Sequence, residues 1–388
     1  MGICGSCCKC YEYKVICMDI IVIYYSYKPN VAAVNRLLSF LHGFEKIGVN
    51  VEMVFIYPNE NGDRVMSLEY NHVHFNYLWD KYKCRNKYYK FVRSFWDLYQ
   101  YIKRLQPGAK VLLLSSSEYL PFITWRSDIE VFHERTEHPD VAKTIPSFLQ
   151  KSYLKACTKA TGLFVISTSL KKYFNRLGVR KISIVNMTVD VGRFLGIEKQ
   201  QLNEHYIAYC GAASNNKDGV DILIKAFAIV HKYYPSMKLY IIGKAPKQND
   251  ESGNMELVKD LNLSDVVLFT GVVQSEKIPQ ILMDADMLVL ARPDSLQAQC
   301  GFPTKLGEYL LTGNPVVITN VGDIPLFFED QVNALIAEPG DVEGFAAKMK
   351  WVIENPVESK VIGEQGKKVA LSHFNYFNEV KKIVNAIC

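Results

Sequence analysis

The stretch Arg292–Val317, RPDSLQAQCGFPTKLGEYLLTGNPVV, decides how this chain folds. Its polar, glycine-marked opening reads as a loop from Arg292 to Pro303. Apolar residues then recur at Leu306, Tyr309 and Leu310, which predicts a helix beginning near Thr304. After Gly313 and Pro315 the run of valines returns the chain to a strand. Loop, helix and strand in this order make an α/β unit whose loop suits a phosphorylated ligand. Pro303 fits the first positions of a helix, and the backbone N–H groups beside Thr304 and Lys305 face outward with the positive end of the helix dipole.

The same alternation extends in both directions. Towards the N-terminus, Ile20 to Tyr25 is an apolar run, and Val34, Leu37, Leu38, Leu41 and Phe44 recur at helical spacing before Gly48. Val49 to Tyr57 reads as a second strand, and Phe91, Phe95, Leu98, Ile102 and Leu105 mark an amphipathic helix. Strands follow at Val111–Leu114, Ile129–Phe132, Leu163–Ile166 and Ile182–Val185. A polar segment without period runs from Val189 to Glu204, and a second series opens after it. Its strands are Tyr206–Cys210, Lys238–Ile242, Val266–Phe269, Met287–Ala291 and Pro315–Thr319. Alternating βα units predict mainly parallel sheets covered on both faces, with ligands at the carboxyl ends of the strands. The domains are expected at residues 18–195 and 205–365, and 366–388 reads as a C-terminal helix that can pack back on the first.

A chain of 388 residues exceeds what one core usually supports, which agrees with two domains. The formal charge of +5 favours an anionic small molecule or a mildly anionic surface and does not demand nucleic acid. No apolar run approaches the roughly 18 to 20 residues that span a bilayer. Five of the ten cysteines (Cys4, Cys7, Cys8, Cys10 and Cys17) crowd residues 1–17, which is not the spacing of a disulfide framework. Reduced thiols in a cytoplasmic protein are the simpler reading. The leader 1–17 reads foremost as an extension outside the fold. MGICGS also matches an N-myristoylation signal at Gly2 with cysteines nearby for palmitoylation, and Cys4, Cys7, Cys8 and Cys10 are a tightly spaced zinc alternative.

Four loops of the second half follow strands. Gly211–Gly219, GAASNNKDG, offers a glycine that lets backbone approach a diphosphate and a cation, Lys217, that neutralises it; a plain Asn/Gly-rich surface turn looks the same. Gly243 and Gly271 follow the next two strands, where backbone amides can line a base pocket or simply turn the chain. In the fourth loop Arg292, Thr304, Lys305 and Glu308 converge, and Glu308, one turn into the helix, can accept hydrogen bonds from ribose hydroxyls or stand exposed.

These segments, in this order, resemble the GT-B glycosyltransferases of the retaining, family-4 type (glycosyl transferases group 1). The resemblance rests on Gly211 with Lys217, on Gly301-Phe302-Pro303, on Glu308-Tyr309-Leu310, and on Gly313 to Val317. It runs from Tyr206 to Asn355 and extends weakly to NMTVDVGRF, Asn186–Phe194. It implies an α/β fold of two Rossmann-like doubly wound domains facing each other across a cleft, and transfer of a sugar from a nucleotide-diphosphate sugar to a glycan or lipid-linked acceptor. It implies further that Lys217 binds the diphosphate, that Thr304 and Lys305 hold phosphate, and that Glu308 binds ribose. No metal is expected and no cofactor, since the nucleotide sugar is a substrate. Two departures stand out: Cys300 occupies the place of a glutamate, and Ala212-Ala213 the place of an arginine. Arg292 is the candidate replacement for the arginine, and Gln297 or Gln299 for the glutamate.

In the first half, HERTEHP, His133–Pro139, reads as a charged loop at the cleft after a strand. The resemblance has His133 or Glu134 contacting a sugar or acceptor hydroxyl, with Arg135 and Glu137 beside them; a loop tied by internal ion pairs, or a zinc site from His133 and His138, are the alternatives. Asn30, Asn35 and Arg36 after the first strand are further acceptor-side candidates, or solvent-facing helix residues. The basic, aromatic run Lys81–Arg93 suits an anionic lipid surface or a solvated helix face, so the protein reads as cytoplasmic, with peripheral contact at the membrane as a second possibility. A nucleotide-sugar 2-epimerase of the same architecture and a non-catalytic nucleotide-sugar binding protein are the competing functions.

Overall fold

The computed structural model describes residues 20–27, 32–57, 70–79, 86–141, 145, 147–245 and 248–388, and the cysteine-rich leader and Asn30 lie outside them. The described chain divides into two units: one reaches Val185 and takes in Tyr376–Cys388, and the other is Asn186–Asn375.

The first unit is built on a seven-stranded sheet in the order β3-β2-β1-β4-β5-β6-β7. The strands are β1 (Ile20–Tyr24), β2 (Val51–Phe55), β3 (Val73–Tyr77), β4 (Lys110–Leu114), β5 (Glu130–Arg135), β6 (Gly162–Val165) and β7 (Ile182–Ile184), and every pairing is parallel. Strand β1 is the unbroken run IIVIY with all five residues buried, as a strand covered on both faces requires. Edge strand β3, VHFNY, buries only Val73 and carries no apolar run, so it forms because β2 supplies a ladder. Helix Ala32–Ile47 lays Leu37, Phe40, Leu41 and Phe44 onto Val22, Met53 and Phe55, and the C-terminal helix Tyr376–Ile387 adds Val380, Ile383 and Val384 to the same core.

The second unit holds six parallel strands in the order β10-β9-β8-β11-β12-β13. They are β8 (Tyr206–Cys210), β9 (Lys238–Ile242), β10 (Val267–Gly271), β11 (Met287–Leu290), β12 (Val316–Thr319) and β13 (Leu335–Ala337). In each sheet the chain winds outward from the middle, returns, and winds the other way, which is the Rossmann order with one reversal point per sheet. The reversal in the second sheet lies between β8 and β11.

The division between the units falls at Val185, ahead of the 196–204 stretch to which the polar composition points. The reason is local: the Val189 N–H donates to the Phe374 carbonyl at 2.9 Å, and Met187 and Val189 pack against Gly307. Likewise residues 366–373 complete the helix Pro356–His373 of the second unit, and only Tyr376 onward joins the first. Among the described residues no helix is long and apolar enough to cross a membrane.

Helix Ala32–Ile47 approaches the C-terminal helix at Gly43, where an added Cβ would stand 2.5 Å from a methyl of Val380. Gly43→Ala is therefore expected to cost about 1–3 kcal/mol by overpacking. The loss should be read as faster hydrogen exchange in 376–387, and Val380→Ala in the same chain should be less than additive with it.

Candidate functional site

The loops after β8 and β11 leave the second sheet at its reversal point, and the cations of the sequence meet there. Lys217 lies in a four-residue helical turn, Asn215–Asp218, rather than in open loop. Gly219 then takes φ +66°, where a side chain would strike the Ala291 carbonyl oxygen at 1.9 Å, so the first loop is locked against the end of β11. Arg292 is 4% exposed; its Nε donates to the Lys217 carbonyl (3.3 Å) and its Nη2 to the Gln297 carbonyl (3.5 Å). Lys305 reaches back to Asp218 Oδ2 at 2.5 Å and lies 4.8 Å from the Tyr209 ring centre. The Tyr209 hydroxyl donates to the same Asp218 oxygen (2.7 Å), with the Ala212 carbonyl at 2.8 Å. Gly211 makes room for this arrangement, since a Cβ there would sit 2.2 Å from Lys305 Nζ.

Lys305 thus meets the Asp218 carboxylate directly, and Arg292 lies close enough for its charge to act on both. Burial pushes the Asp218 carboxyl up, but the charge and hydrogen bond of Lys305, the Tyr209 hydroxyl and the charge of Arg292 outweigh it and hold the group below the usual carboxylate range. Burial pushes the Lys305 ammonium down, Asp218 opposes that, and Lys217 and Arg292 add to it. Lys305 and Asp218 compensate each other's charge largely away from water, with Arg292 buried beside them.

The segment after Arg292 is not all loop: Ser295 caps a short helix, Leu296–Cys300, through the Ala298 N–H. The helix beyond it is Lys305–Leu311, seven residues long, and the Thr304 side chain caps nothing. Its anchor is Tyr309, whose hydroxyl accepts the Cys210 N–H (2.6 Å) and donates to the Cys210 carbonyl (3.1 Å). Phe302 turns its ring into an aromatic cluster with Phe327 and Phe374, centroids 5.7 and 5.3 Å away, so the apolar member of Gly301-Phe302-Pro303 is core. The Gly243 N–H is committed to the Gly271 carbonyl (2.9 Å) rather than turned to a pocket. Gln299 is tied to Asp294 at 2.7 Å, and Cys300 is buried, its thiol pushed up by burial and by Asp323. Glu308 is half-buried and paired through Oε1 with Arg193, whose Nη2 also donates to the Ser275 carbonyl (2.9 Å) and hydroxyl (3.1 Å).

With this geometry in place, the likeness to known proteins can be located. Residues 204–355 match the family model for glycosyl transferases group 1. The D-inositol 3-phosphate glycosyltransferase of Segniliparus rotundus is 25% identical over 199 residues, 48% of this chain and 42% of that protein. The mannosylfructose-phosphate synthase of Agrobacterium fabrum is 24% identical over 287 residues, 67% of this chain and 60% of the relative. The chain therefore matches only about half of the length of these curated relatives. Among solved structures, the Anabaena HepE protein in complex with UDP and glucose superposes with a TM-score of 0.72 at 16% identity, covering 95% of this chain and 98% of that one. This likeness gives the fold, GT-B, as two Rossmann-like units.

In the first unit of this GT-B chain, the residues expected on a loop are strand residues. His133, Glu134 and Arg135 end β5, because β4 pairs Leu113 with His133 and Leu114 with Glu134, and β6 pairs Val165 with Arg135. The ladder carries β5 three residues past the apolar run. His133 is fully buried, with Nδ1 at 3.0 Å from the Leu113 carbonyl and Nε2 at 3.2 Å from the Ser117 hydroxyl; burial lowers it to about 3, so it is a neutral core imidazole. Glu134 pairs at 2.8 Å with Arg36, which also donates to the Val185 carbonyl, so helix Ala32–Ile47 and β5 are joined by a buried ion pair and Arg36 does not face solvent. Asn35 does. Arg135 donates to the Glu137 carbonyl (2.7 Å) and the Ser117 hydroxyl (2.6 Å), and its buried Nη2 meets no partner. His138 stacks edge-on to Tyr173 with Nδ1 accepting from the Asp140 N–H. Among the described residues no group of three or more His, Cys, Asp or Glu is arranged to hold a metal ion.

Asp218, Tyr209 and Arg193 escaped the sequence reading. Asp218 precedes a glycine and reads as turn, and its partner Lys305 is 87 positions away. Removing it with Asp218→Ala leaves Lys305 without its counter-charge and is expected to cost about 3–5 kcal/mol. The folded carboxyl lies below its unfolded value of about 3.9, so its stabilisation is complete above that pH and lost as pH falls through the folded value. Thermal unfolding followed from neutral pH downward should show a shallower acid limb in the variant than in the parent chain.

Proposed function

We propose that this protein transfers a sugar from a nucleoside-diphosphate sugar to an acceptor hydroxyl with retention of configuration, in the synthesis of a polysaccharide or glycoconjugate. The observation that carries the proposal is that Arg292 and Lys305 are held against the turn Asn215–Asp218, which carries Lys217, at the β8/β11 reversal point of a domain that matches the group 1 family model. Charge develops on the diphosphate as the glycosidic bond breaks, and cations fixed in a dry site stabilise it without reorganising. Lys217, partly exposed, is assigned to the phosphates directly, while Arg292 and Lys305 are held by the protein and set the potential. Glu308 is assigned to the ribose, with Arg193 holding one carboxylate oxygen in place. The acceptor proton passes to the departing phosphate oxygen, so the cluster needs no free carboxylate base, and Asp218 is committed to Lys305. Acceptor recognition is assigned to the first unit, where Arg135 keeps a buried donor in reserve.

A panel of nucleoside-diphosphate sugars with and without alcohol acceptors tests the proposal. Nucleoside diphosphate release that requires acceptor, with an anomeric centre unchanged by NMR, is the expected result. An altered sugar without release would mean epimerisation, and binding without turnover a non-catalytic protein; either overturns the proposal. Lys217→Ala should lower kcat about 10²–10³-fold if it meets the diphosphate, with the unfolding temperature unchanged. Glu308→Ala should raise KM for the donor, and parental kinetics in that variant would remove the ribose assignment.

A further inference from the structure

Helix Lys87–Lys103 of the first unit presents an outer face that water alone does not explain. Its inner stripe is conventional: Ser94, Leu98 and Ile102 are buried, and Phe91 and Phe95 meet edge to face with ring centres 4.8 Å apart. On the outward side next to this stripe, where an amphipathic helix carries polar residues, the chain places Tyr88 (84% exposed), Val92 (67%) and Trp96 (57%) at i, i+4 and i+8. Tyr89 flanks them at 48% exposure, and Trp125, from the turn after the helix Leu120–Ile123, joins at 46% through Tyr99, 5.5 Å from its ring. Tyr99 in turn lies 6.1 Å from Trp96. Other exposed apolar side chains, such as Phe148, Leu195, Tyr233 and Val272, are widely separated along the chain.

The composition of the patch selects its partner. Trp and Tyr combine an apolar ring with a polar edge, the pairing that favours the boundary between lipid headgroups and acyl chains. The charge is one-sided: from Lys87 to Arg104 there are five basic residues and one acidic, Asp97, which is paired with Arg93 at 2.8 Å. Lys103 and Arg104 are exposed at the end of the helix. From Tyr88 to Trp96 the aromatic row extends about 12 Å along the axis, long enough to lie flat in an interface. We infer that this face docks the protein on an anionic lipid surface, with Tyr88, Val92, Trp96 and Trp125 entering the headgroup boundary and the basic residues meeting the headgroup phosphates. The inference stands independently of the transferase reading.

Co-sedimentation of the full chain with phosphatidylcholine vesicles, with and without phosphatidylglycerol, tests it. Binding should require the anionic lipid and weaken as salt rises. Tyr88→Ser, Val92→Ser and Trp96→Ser combined should lower the partition coefficient about tenfold or more, while the circular dichroism spectrum and unfolding temperature stay those of the parent, because all three side chains face outward. Lys103→Glu with Arg104→Glu should lower binding to the anionic vesicles and flatten its dependence on salt. Absence of binding by the parent chain, or binding that the triple variant retains, would overturn the inference. So would a parent dimer that the triple variant turns monomeric without any vesicle binding, since the face would then be a contact between copies.

Discussion

Parallel strands cannot be joined by tight turns, and that constraint organises everything else in this chain. Each strand must be followed by a crossover long enough to return to the same end of the sheet, so the loops at the carboxyl ends are free to carry chemistry while the crossovers supply the covering helices. Winding outward from β8 through β9 to β10 and then back to β11 leaves the loops after β8 and β11 diverging from neighbouring strands. Two stretches about eighty residues apart in sequence are thereby placed side by side. The Gly211–Gly219 loop and the segment opening at Arg292 meet for this reason and no other.

What they form once together is governed by electrostatics. A lysine drawn into the interior is costly unless a counter-charge meets it. Lys305 is met by Asp218, which the short helical turn Asn215–Asp218 aims at it and the Tyr209 hydroxyl holds in place. Arg292 is buried beside them, against the Lys217 carbonyl. The glycine at 211 leaves room for the Lys305 ammonium, which a Cβ there would meet at 2.2 Å.

The first unit shows the same logic turned to stability. Its conspicuous charged segment was legible as chemistry and misplaced as structure: HERTEHP looks like a loop because its apolar run ends at Phe132. Hydrogen bonding to β4 and β6 on either side carries the strand on to Arg135, and the polar side chains are then satisfied from within, Glu134 by Arg36 and His133 by Leu113 and Ser117. Residues that pattern alone marks as exposed can be interior when a ladder on both sides pays for them.

By itself the sequence determined the alternation of strands and helices, eleven of the strands to within a few residues, the parallel α/β class, and the position of the loops that carry Gly211, Lys217 and Arg292 after their strands. These are local matters, set by the spacing of apolar residues and by turn chemistry. Edge strands β3 and β13 were not legible, since β3 carries no apolar run and β13 is only three residues long, and each is a strand through its pairing with a neighbour. Tertiary structure alone decided that Asp218 meets Lys305, that Arg193 meets Glu308, that Phe302 is core and that the C-terminal helix joins the first unit at Gly43. Each of these joins residues far apart in the chain, and a contact of that kind leaves no period in a single sequence because it depends on which strands the fold sets next to each other.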